Sequence, residues 1–572
     1  MIADSSHVQT GQIRTEFVGF ASRAGLPLVA CIDHLGPQLK AQPWVVMAPK
    51  FGETKKNSLQ LGYYMAANGL NVLRFDHANH VGESGGDKNF FTLSGGALDI
   101  QACFDYLEKH HGVTGATLVA NSLSARTAIR AAAHDPRVIH LVCLVGVVNL
   151  RHTLHQVYRD DLIGGHLAGR RWGVGDMLGV EMDYDSFLQS AVRDNMHDLA
   201  GTRDDLLRTH ARITFFPAER DHWVSLAEVD QVLCGLPLAQ FTPIPGAMHE
   251  LRENPAVAEE AFRAIVTACL EPERNAVIVP DAGGPVLKVP DKRQLLQQNR
   301  IERERLRRLN REEEEERDFW AKYLAKYRLL QNVDDYQSYL SLLGQLLGPI
   351  GPGEIVLDAG CGNGMFGLWV VRTLLERAEK TDRPPMYVGL DLTVEGLRDA
   401  LATQLGSAFS HERTARERAG DYLGLLYGQT DLDTWGMPAT EAPELLMFAD
   451  HCFDKICCSL VLSYLNRPES VLREIHRVLK PGGRVVVSSM KPFCDMSEIY
   501  RDFMGQQISE TEVESGRDLL RAAGKIRLKE EQGYYTFHSA EELTGLLVGA
   551  GFKNCSAHQS FGGQAAVVVA IK

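Results

Sequence analysis

Three side chains suited to hydrolytic chemistry, a serine, an aspartate and a histidine, occur in that order in the first half of the sequence. The apolar stretch Thr117–Asn121 predicts a strand and the alanine-rich stretch Leu123–Arg130 predicts a helix, with Ser122 at the turn between them. A nucleophile at so tight a turn requires small residues two positions away on either side, and Ala120 and Ser124 satisfy this. A plain helix N-cap is the alternative for this stretch taken alone.

The aspartate and the histidine follow in the chain order typical of α/β-hydrolases. Asp221 comes after the predicted strand Ile213–Pro217, and His249 lies in Pro245–Glu250. In such a set the imidazole removes the proton of the serine hydroxyl, while the carboxylate fixes the imidazole tautomer and stabilises its positive charge. The alternative is that Asp221 caps a helix and that His249 is a surface histidine.

Further strands must hold these residues in place. Trp44–Pro49, Gly69–Asp76 and His140–Val148 predict strands, and helical patterns separate them. Strands that alternate with helices indicate a parallel, doubly wound α/β sheet, whose ligand site gathers at the carboxyl ends of the strands. We therefore expect the backbone N–H groups of Leu123 and Phe51 to hold an oxyanion.

Longer shared strings accompany these residues: Asp76 with His80-Val-Gly82, Ser122–Arg126, Gly146–Arg151, Asp221 with Trp223-Val224, and His249. With them, most of residues 15 to 260 resembles the acyl transferase (thioesterase) of the bacterial bioluminescence fatty-acid reductase complex. The resemblance implies an α/β-hydrolase fold. It also implies that an acyl group passes from a thioester to Ser122 and then to water or a partner enzyme.

Residues from about 150 to 205 are predicted to form a cap insertion over the turn at Ser122. This cap would form one wall of an acyl pocket. Arg151, Arg170 and Arg171 are candidates to meet a phosphopantetheine phosphate, although a solvated surface position is favoured for each one alone. For His80 and His222 we predict surface or packing roles.

The two halves of the chain are joined by a predicted linker and charged helix over residues 276–318. Prolines and glycines break Asn275–Pro290, and the following residues are dense in arginine and glutamate. Few apolar residues lie in Glu302–Asp318, which predicts a solvated helix held by opposite charges three and four positions apart. A short coiled coil with a second copy is the alternative, so a homodimer is possible.

The second half begins with a strand that ends in a glycine-rich loop. Asp358 precedes Gly360, Gly362 and Gly364, and the loop enters a helix. This spacing differs from the Gly-x-Gly-x-x-Gly pattern of dinucleotide-binding domains. The next strand ends in Asp391, a position suited to binding two ribose hydroxyls.

Together with Thr430-Asp431, Phe453–Leu460 and Leu479–Val487, this set resembles the class I S-adenosylmethionine-dependent methyltransferases. The resemblance implies a Rossmann-like fold over residues 319–572, following an α/β-hydrolase domain at 1–275. It also implies that the glycines approach the methionine part of S-adenosyl-L-methionine, with Asp358 beside its ammonium group. By the same resemblance Asp391 would hold the ribose and Asp431 would face the adenine amine. A nicotinamide-binding domain is the disfavoured alternative.

The methyl acceptor is less clearly encoded than the donor. Methyl transfer needs an aligned nucleophile more than a strong base, because the sulfonium is already activated. Met490–Lys529 is predicted to be an insertion that covers the substrate. The candidate lining residues are Tyr336, Tyr339, Tyr464, Tyr534, Tyr535 and His538.

Composition limits the remaining possibilities. At 572 residues the chain requires more than one domain, and its net charge of -13 argues against a general nucleic-acid binder. The polar N-terminus and the absence of a long apolar run predict no signal peptide and no membrane span, and hence a cytoplasmic protein. Eleven scattered cysteines predict reduced thiols and no metal site.

These observations predict a bifunctional enzyme. The first domain would act on an acyl thioester of acyl carrier protein or coenzyme A. The second would methylate an acyl product or intermediate of the same pathway. One alternative is a carboxylesterase fused to a small-molecule O- or C-methyltransferase. Another is a non-catalytic, hydrolase-like module that docks a carrier protein for the methyltransferase.

Overall fold

The computed structural model describes residues 12–36, 39, 42–273, 287–309, 316–327, 330–331, 333–377, 383–409, 423–434, 448–506 and 510–572. The chain forms two compact units. The first comprises Met1–Arg311 with Ala523–Gly533, and the second comprises Glu312–Ala522 with Tyr534–Lys572. Each unit carries a mainly parallel sheet with helices between its strands, so the predicted class of two α/β domains is confirmed.

The first unit begins with two long strands and then alternates strands with helices. Its strands are β1 (Ile13–Ala21), β2 (Pro27–Leu35), β3 (Trp44–Ala48), β4 (Asn71–Phe75), β5 (Ala116–Asn121), β6 (Val138–Leu144), β7 (Val174–Met177), β8 (Val180–Asp183), β9 (Arg212–Phe216) and β10 (Ala239–Phe241). Its helices are α1 (Leu59–Ala67), α2 (Leu93–His111), α3 (Leu123–His134), α4 (Leu150–Tyr158), α5 (Leu162–Leu167), α6 (Tyr184–Arg193), α7 (Leu199–Arg208), α8 (Leu226–Leu233), α9 (Pro255–Leu270) and α10 (Lys292–Leu309).

The main sheet of this unit has eight strands in the order β1-β2-β4-β3-β5-β6-β9-β10. Strand β2 runs antiparallel to both of its neighbours, and the pairs from β4 to β10 are parallel. The central strands are mainly apolar and almost wholly buried, as expected when helices cover both faces of a parallel sheet. The carboxyl ends of β3, β5, β6 and β9 therefore meet at one edge.

The segment between β6 and β9 contains the four helices α4 to α7 and the small antiparallel pair β7–β8. It coincides with the predicted cap insertion at about 150–205. Its role as a cap stays a prediction.

The middle of the charged helix differs from the prediction. Glu302, in α10, is only 1% exposed, and its carboxylate lies 2.9 Å from Nη2 of Arg74, a residue of β4. Leu306, one turn later, is also buried. The prediction of a solvated helix was wrong here because the partner of Glu302 is a strand arginine more than two hundred residues earlier. Residues 310–315 of the charged segment and 274–286 of the linker lie outside the described residues.

The second unit follows the same alternation of strands and helices. Its strands are β11 (Ile355–Ala359), β12 (Met386–Asp391), β13 (Gly424–Gln429), β14 (Phe453–Cys458), β15 (Leu479–Met490), β16 (Lys553–Ser560) and β17 (Ala565–Ile571). The helices are α11 (Glu316–Tyr327), α12 (Asp334–Leu347), α13 (Met365–Arg377), α14 (Val394–Phe409), α15 (Pro468–Val478), α16 (Ser497–Gln506), α17 (Glu510–Glu531) and α18 (Ala540–Gly549). From residue 523 onward, α17 belongs to the first unit.

The sheet of the second unit has seven strands in the order β13-β12-β11-β14-β15-β17-β16. Strand β17 is antiparallel to both of its neighbours, while the other pairs are parallel. Because β11 lies between β12 and β14, the loop that follows β11 is flanked by the ends of two parallel strands. A ligand site is expected at this place in an open parallel sheet.

The buried pair of Arg74 and Glu302 gives a stability prediction. We expect Glu302→Gln to lower the free energy of unfolding of the first unit by about 1 to 2 kcal/mol, because it weakens the charge-assisted hydrogen bonds to Arg74 and leaves Asp33 as the carboxylate partner of that guanidinium. Urea unfolding measures this change, and Glu304→Gln, at an exposed position of the same helix, is the control.

The difference in free energy of unfolding between the wild type and Glu302→Gln should depend on pH with a definite sign. Burial opposes ionisation of Glu302, but Arg74 holds the pKa of that carboxyl below its ordinary value of 4.5. The stabilisation is therefore present at neutral pH and is lost as Glu302 becomes protonated below pH 4.5. Below pH 4.5 the wild type and Glu302→Gln should therefore become more similar in free energy of unfolding. An unchanged difference would contradict the role assigned to the Glu302 carboxylate.

Candidate active sites

Ser122 occupies a strained turn between β5 and α3. Its backbone has φ 55° and ψ −125°, a conformation that residues other than glycine rarely adopt. Behind the turn there is no room for a larger residue at Gly146, since a Cβ there would lie 2.8 Å from Cβ of Ala125. The surrounding packing therefore holds the serine in a conformation that it would not adopt alone.

The structure brings the serine, histidine and aspartate of the prediction into one hydrogen-bonded series. Oγ of Ser122 lies 2.8 Å from Nε2 of His249, and Nδ1 of His249 lies 2.8 Å from Oδ2 of Asp221. The other carboxylate oxygen of Asp221 accepts the backbone N–H groups of Trp223 and Val224. All three predicted side chains are almost wholly buried. With Nδ1–H donating to Asp221, Nε2 is free to accept the serine proton.

The two expected oxyanion donors lie at the same edge of the sheet. Leu123 is the first residue of α3, where the helix itself leaves the backbone N–H groups without acceptors. Phe51 lies in the loop after β3, and β3 pairs with β5 so that Ala48 is opposite Ala120. The hydroxyl of Ser124 donates to the Pro49 carbonyl, which ties this loop to the beginning of α3.

His80 packs inside this region and supports the same loop. The Gly52 N–H donates to Nε2 of His80 at 3.2 Å, and the imidazole lies 4.7 Å from the rings of both Phe51 and Phe91. Burial, and secondarily the nearby His77, lowers the pKa of His80 to about 3. His80 is therefore neutral at physiological pH and serves as a hydrogen-bond acceptor for the loop.

Charged residues next to the site were missed by the sequence analysis. Nζ of Lys50 lies 3.2 Å from Oε2 of Glu250, and Nε of Arg252 lies 2.7 Å from Oε1 of the same carboxylate. Arg252 also pairs with Glu53 at 2.7 Å. Glu250 and Lys50 are immediate sequence neighbours of His249 and Phe51, and this adjacency was the signal that would have found them.

The three arginines suggested for a phosphate are exposed to solvent. Arg151 pairs with Asp161 at 2.5 Å, and Arg170 pairs with Asp160 at 3.2 Å. Arg171 is also exposed. Two of the three are thus already neutralised by neighbouring carboxylates.

The second site lies at the loop after β11, where three glycines shape a cradle. Gly360, Gly362 and Gly364 have φ of 81°, 54° and 79°, in the region that favours glycine. A Cβ at Gly360 would lie 2.3 Å from Cγ2 of Val461, and one at Gly364 would lie 2.5 Å from Cβ of Ala400. The loop can therefore keep this path only with glycine at these positions.

Two of the predicted acidic residues converge on this loop. Asp391 accepts the N–H of Gly362 at 2.8 Å and that of Thr393 at 2.9 Å, so it fixes the loop at the end of β12. Asp358 is buried and accepts the hydroxyl of Tyr387 at 2.6 Å. Burial raises the pKa of Asp358 to about 7. Within the described part of the chain, its Oδ1 has no hydrogen-bond donor.

The third predicted acidic residue is placed differently. Asp431 lies after β13 and is exposed, and its side chain accepts the N–H of Asp433 at 2.9 Å. The structure thus places Asp358 and Asp391 at the glycine loop. The role proposed for Asp431 stays a prediction.

Most of the candidate acceptor-site tyrosines are linked to an aromatic cluster in the second unit. The ring centroids of Trp320 and Tyr464 lie 4.5 Å apart, and those of Tyr464 and Tyr535 lie 4.9 Å apart. The hydroxyl of Tyr339 lies 2.6 Å from Oγ of Ser459 and of Ser488. Tyr336 packs against Tyr339, while Tyr534 is half-buried and His538 is buried.

No group of histidine, cysteine, aspartate and glutamate side chains among the described residues is arranged to hold a metal ion. None of their helices is both long and apolar enough to cross a membrane.

Comparison with known proteins finds a family match in each half of the chain. Residues 38–284 match the family model for acyl transferase, and residues 330–557 match that for a methyltransferase domain. The acyl transferase of Photobacterium phosphoreum is 28% identical to this chain over 242 residues, and that of Shewanella hanedai is 28% identical over 235 residues. These matches cover 41% of this chain and 76% and 75% of those proteins.

Two solved structures are similar to one half each. An α/β-hydrolase from Penicillium sp. sh18 has 12% identity and a TM-score of 0.37, with 45% of this chain and 99% of that chain covered. An S-adenosylmethionine-dependent methyltransferase from Aquifex aeolicus has 15% identity and a TM-score of 0.25, with 42% and 91% covered. The family matches confirm the resemblance predicted for each half: an acyl transferase domain is joined to a methyltransferase domain.

The glycine cradle gives a prediction that is independent of activity. We expect Gly360→Ala to destabilise the second unit by about 2 kcal/mol, because alanine is strained at this φ and its Cβ collides with Val461. Gly406→Ala, in open space on α14, should instead stabilise it by about 0.5 to 1 kcal/mol. Thermal unfolding measures the stability change in both variants. Equal changes in the two would contradict the requirement for glycine at position 360.

Proposed function

We propose that the chain is a bifunctional enzyme. In this proposal the first unit transfers an acyl group from a thioester to Ser122, and the second transfers a methyl group from S-adenosyl-L-methionine. The observation that carries the proposal is the hydrogen-bonded series of Ser122, His249 and Asp221 inside the region that matches the acyl transferase family.

The chemistry of the first unit follows from the order of these contacts. His249 takes the proton of Ser122 as its oxygen attacks the thioester carbonyl, and Asp221 stabilises the imidazolium. The N–H groups of Leu123 and Phe51 hold the oxyanion. His249 then gives its proton to the leaving thiol sulfur and later activates water or a second acceptor, which takes the acyl group from Ser122.

The residues at the glycine loop fit the proposed methyl donor. The loop would approach a ligand through its backbone, and the buried Oδ1 of Asp358, which has no hydrogen-bond donor among the described residues, would accept from an ammonium group. Asp391 is positioned by the same loop and would hold the ribose, with Asp431 near the adenine. S-Adenosyl-L-methionine, when bound, supplies a methyl group already activated by its sulfonium. The chain has to exclude water and align the acceptor.

The fusion of the two domains supports a single pathway. The simplest sequences are release of a carboxylic acid followed by its methylation, or methylation of a carrier-bound acyl chain followed by release. The substrate would be an acyl thioester of acyl carrier protein or coenzyme A, and the metabolite would be derived from a fatty acid or another natural product.

The acyl transfer activity is tested with a matched pair of histidine variants. His249→Asn should lower thioester hydrolysis by about 10³-fold or more, because Ser122 loses its base. His210→Asn, at an exposed position shortly before β9, should change it by less than about threefold. Intact-mass analysis with a fluorophosphonate should find one adduct in the wild-type protein and none in Ser122→Ala.

Other outcomes of the same assays separate the alternatives. A faster reaction with an oxygen ester than with the matched pantetheine thioester would favour a carboxylesterase. An unlabelled wild-type protein would favour a non-catalytic docking module. Mass spectrometry of the products, with and without S-adenosyl-L-methionine, tests the common pathway, and two unrelated products would break the link between the domains.

Donor binding should depend on pH through Asp358. Burial raises the pKa of this carboxyl to about 7, so its charged form is scarce at pH 6 and half-populated at pH 7. Since a cationic ligand favours the ionised carboxylate, the affinity should rise about fivefold between these pH values. Titration calorimetry of the full-length protein measures it. Asp358→Asn should bind more weakly and lose this pH dependence, whereas a retained dependence would exclude Asp358 as its source.

A further inference from the structure

A short segment late in the sequence is built into the first unit. Residues Ala523–Gly533 cluster with Met1–Arg311 and not with their sequence neighbours. Gly524 packs so closely that a Cβ on Gly179, in the turn between β7 and β8, would lie 2.3 Å from its carbonyl carbon. At the other end, a Cβ on Gly533 would lie 2.7 Å from the backbone oxygen of Arg303 in α10. This segment therefore fits the unit tightly at both ends.

One side chain of the segment reaches the charged residues beside Ser122 and His249. Nη2 of Arg527 lies 2.7 Å from Oε1 of Glu53 and 2.8 Å from Oε2 of Glu250. These two carboxylates are 3% exposed, and they also bind Arg252 and Lys50. Arg527 is thus the third cation of a buried cluster that otherwise comes from the first 311 residues.

Neighbouring residues attach the segment a second time. Asn57 donates a hydrogen bond to Glu531, and Nζ of Lys56 lies 3.6 Å from both Glu530 and Glu531. All of these groups but Glu530 are almost wholly buried. The short helical turn Lys55–Ser58, which follows the predicted oxyanion loop, is therefore held by residues of the same late segment.

We propose that Arg527 is a positioning residue for the acyl-transfer site, an inference that rests on the function proposed above. Glu250 directly follows His249, and Lys50, its partner, directly precedes Phe51. By binding Glu250 and Glu53 together, Arg527 holds the histidine loop and the oxyanion loop in register. Its side chain contacts these two carboxylates, and it acts on the site through them.

The hydrogen bonds of Arg527 explain why its loss would matter. Arg527 donates to Glu53 and Glu250 together, so removing it leaves each of these buried carboxylates with one donor fewer, although Lys50 and Arg252 still offset the two negative charges. The two loops would then move apart or admit water. Because a displacement of about 1 Å at a catalytic group costs on the order of 10²-fold in rate, the effect should appear in turnover.

The test compares substitutions in the full-length protein. Arg527→Met should lower kcat for thioester hydrolysis about tenfold or more and leave KM within about twofold, because the cluster supports the reacting groups and not the acyl chain. Arg527→Lys should restore part of the rate by keeping the charge. Lys525→Met, which removes a half-exposed lysine 4.0 Å from Asp176, is the matched control and should behave as wild type.

The pH profile separates positioning from a general loss of fold. Lys50, Arg252 and Arg527 face Glu250, with the Glu53 carboxylate beside them. Although burial opposes ionisation, these cations hold the pKa of Glu250 well below its ordinary value. Without Arg527 this pKa rises, so Glu250 becomes protonated at higher pH. The acid limb of the kcat profile should then move to higher pH in Arg527→Met but not in Lys525→Met.

A double variant keeps the test decisive if Arg527→Met folds poorly. Because Arg527 acts partly through Glu53, Arg527→Gln should lower kcat less in a Glu53→Gln background than in the wild-type protein. An equal loss of kcat in both backgrounds would overturn the inference. So would a normal rate and a normal pH profile in Arg527→Met.

Failure of the proposed function itself would look different. The wild-type protein would then neither hydrolyse thioesters nor accept a fluorophosphonate. Hydrogen exchange at Lys50–Glu53 would still show whether Arg527 holds the loop, with faster exchange expected in Arg527→Met and unchanged exchange contradicting that contact.

Discussion

The hydrogen bond between Ser122 and His249 is the interaction on which the first unit depends, and its two residues are 127 positions apart in the sequence. A parallel sheet brings these distant residues together, because the residues that follow its strands all lie at the same edge. The serine follows β5, the loop with Phe51 follows β3, and Asp221 follows β9. The unusual φ of Ser122 is maintained by the packing of α3 against this sheet, so the geometry belongs to the fold and not to the local sequence.

Charge placed inside the protein is a second constraint on the first unit. The carboxylates of Glu53, Glu250 and Glu302 are all buried, and each is bound by at least one arginine. Such pairs contribute little net stability compared with apolar packing, yet losing one partner is costly. Their value in this molecule lies in fixing which segments adjoin each other. A wrong arrangement would leave a charge without its partner in a region from which water is excluded.

Much of the architecture was predictable because it depends on patterns that are local in sequence. Apolar strands followed by small or glycine-rich turns indicated both sheets, and the order of Ser122, Asp221 and His249 indicated where the site residues would gather. Partners of charged residues were not predictable in this way. A carboxylate in a charged helix is solvated unless an unseen cation meets it, and for Glu302 that cation is in β4. The pKa of Asp358 likewise depends on burial, which a motif does not reveal.

The assignment of residues 523–533 to the first unit has a consequence for biosynthesis. Chains grow at about 5 to 20 residues per second, so roughly 220 residues separate Arg311 from this segment by about 10 to 45 seconds of translation. During that interval the nascent first unit lacks Arg527, so Glu53 and Glu250 have Lys50 and Arg252 as partners but not this third cation. The unit that is made first thus receives its last segment only after most of the later unit has been translated. A messenger RNA truncated between the codons of Arg311 and Ala523 would yield a first unit that contains Ser122 but lacks Arg527.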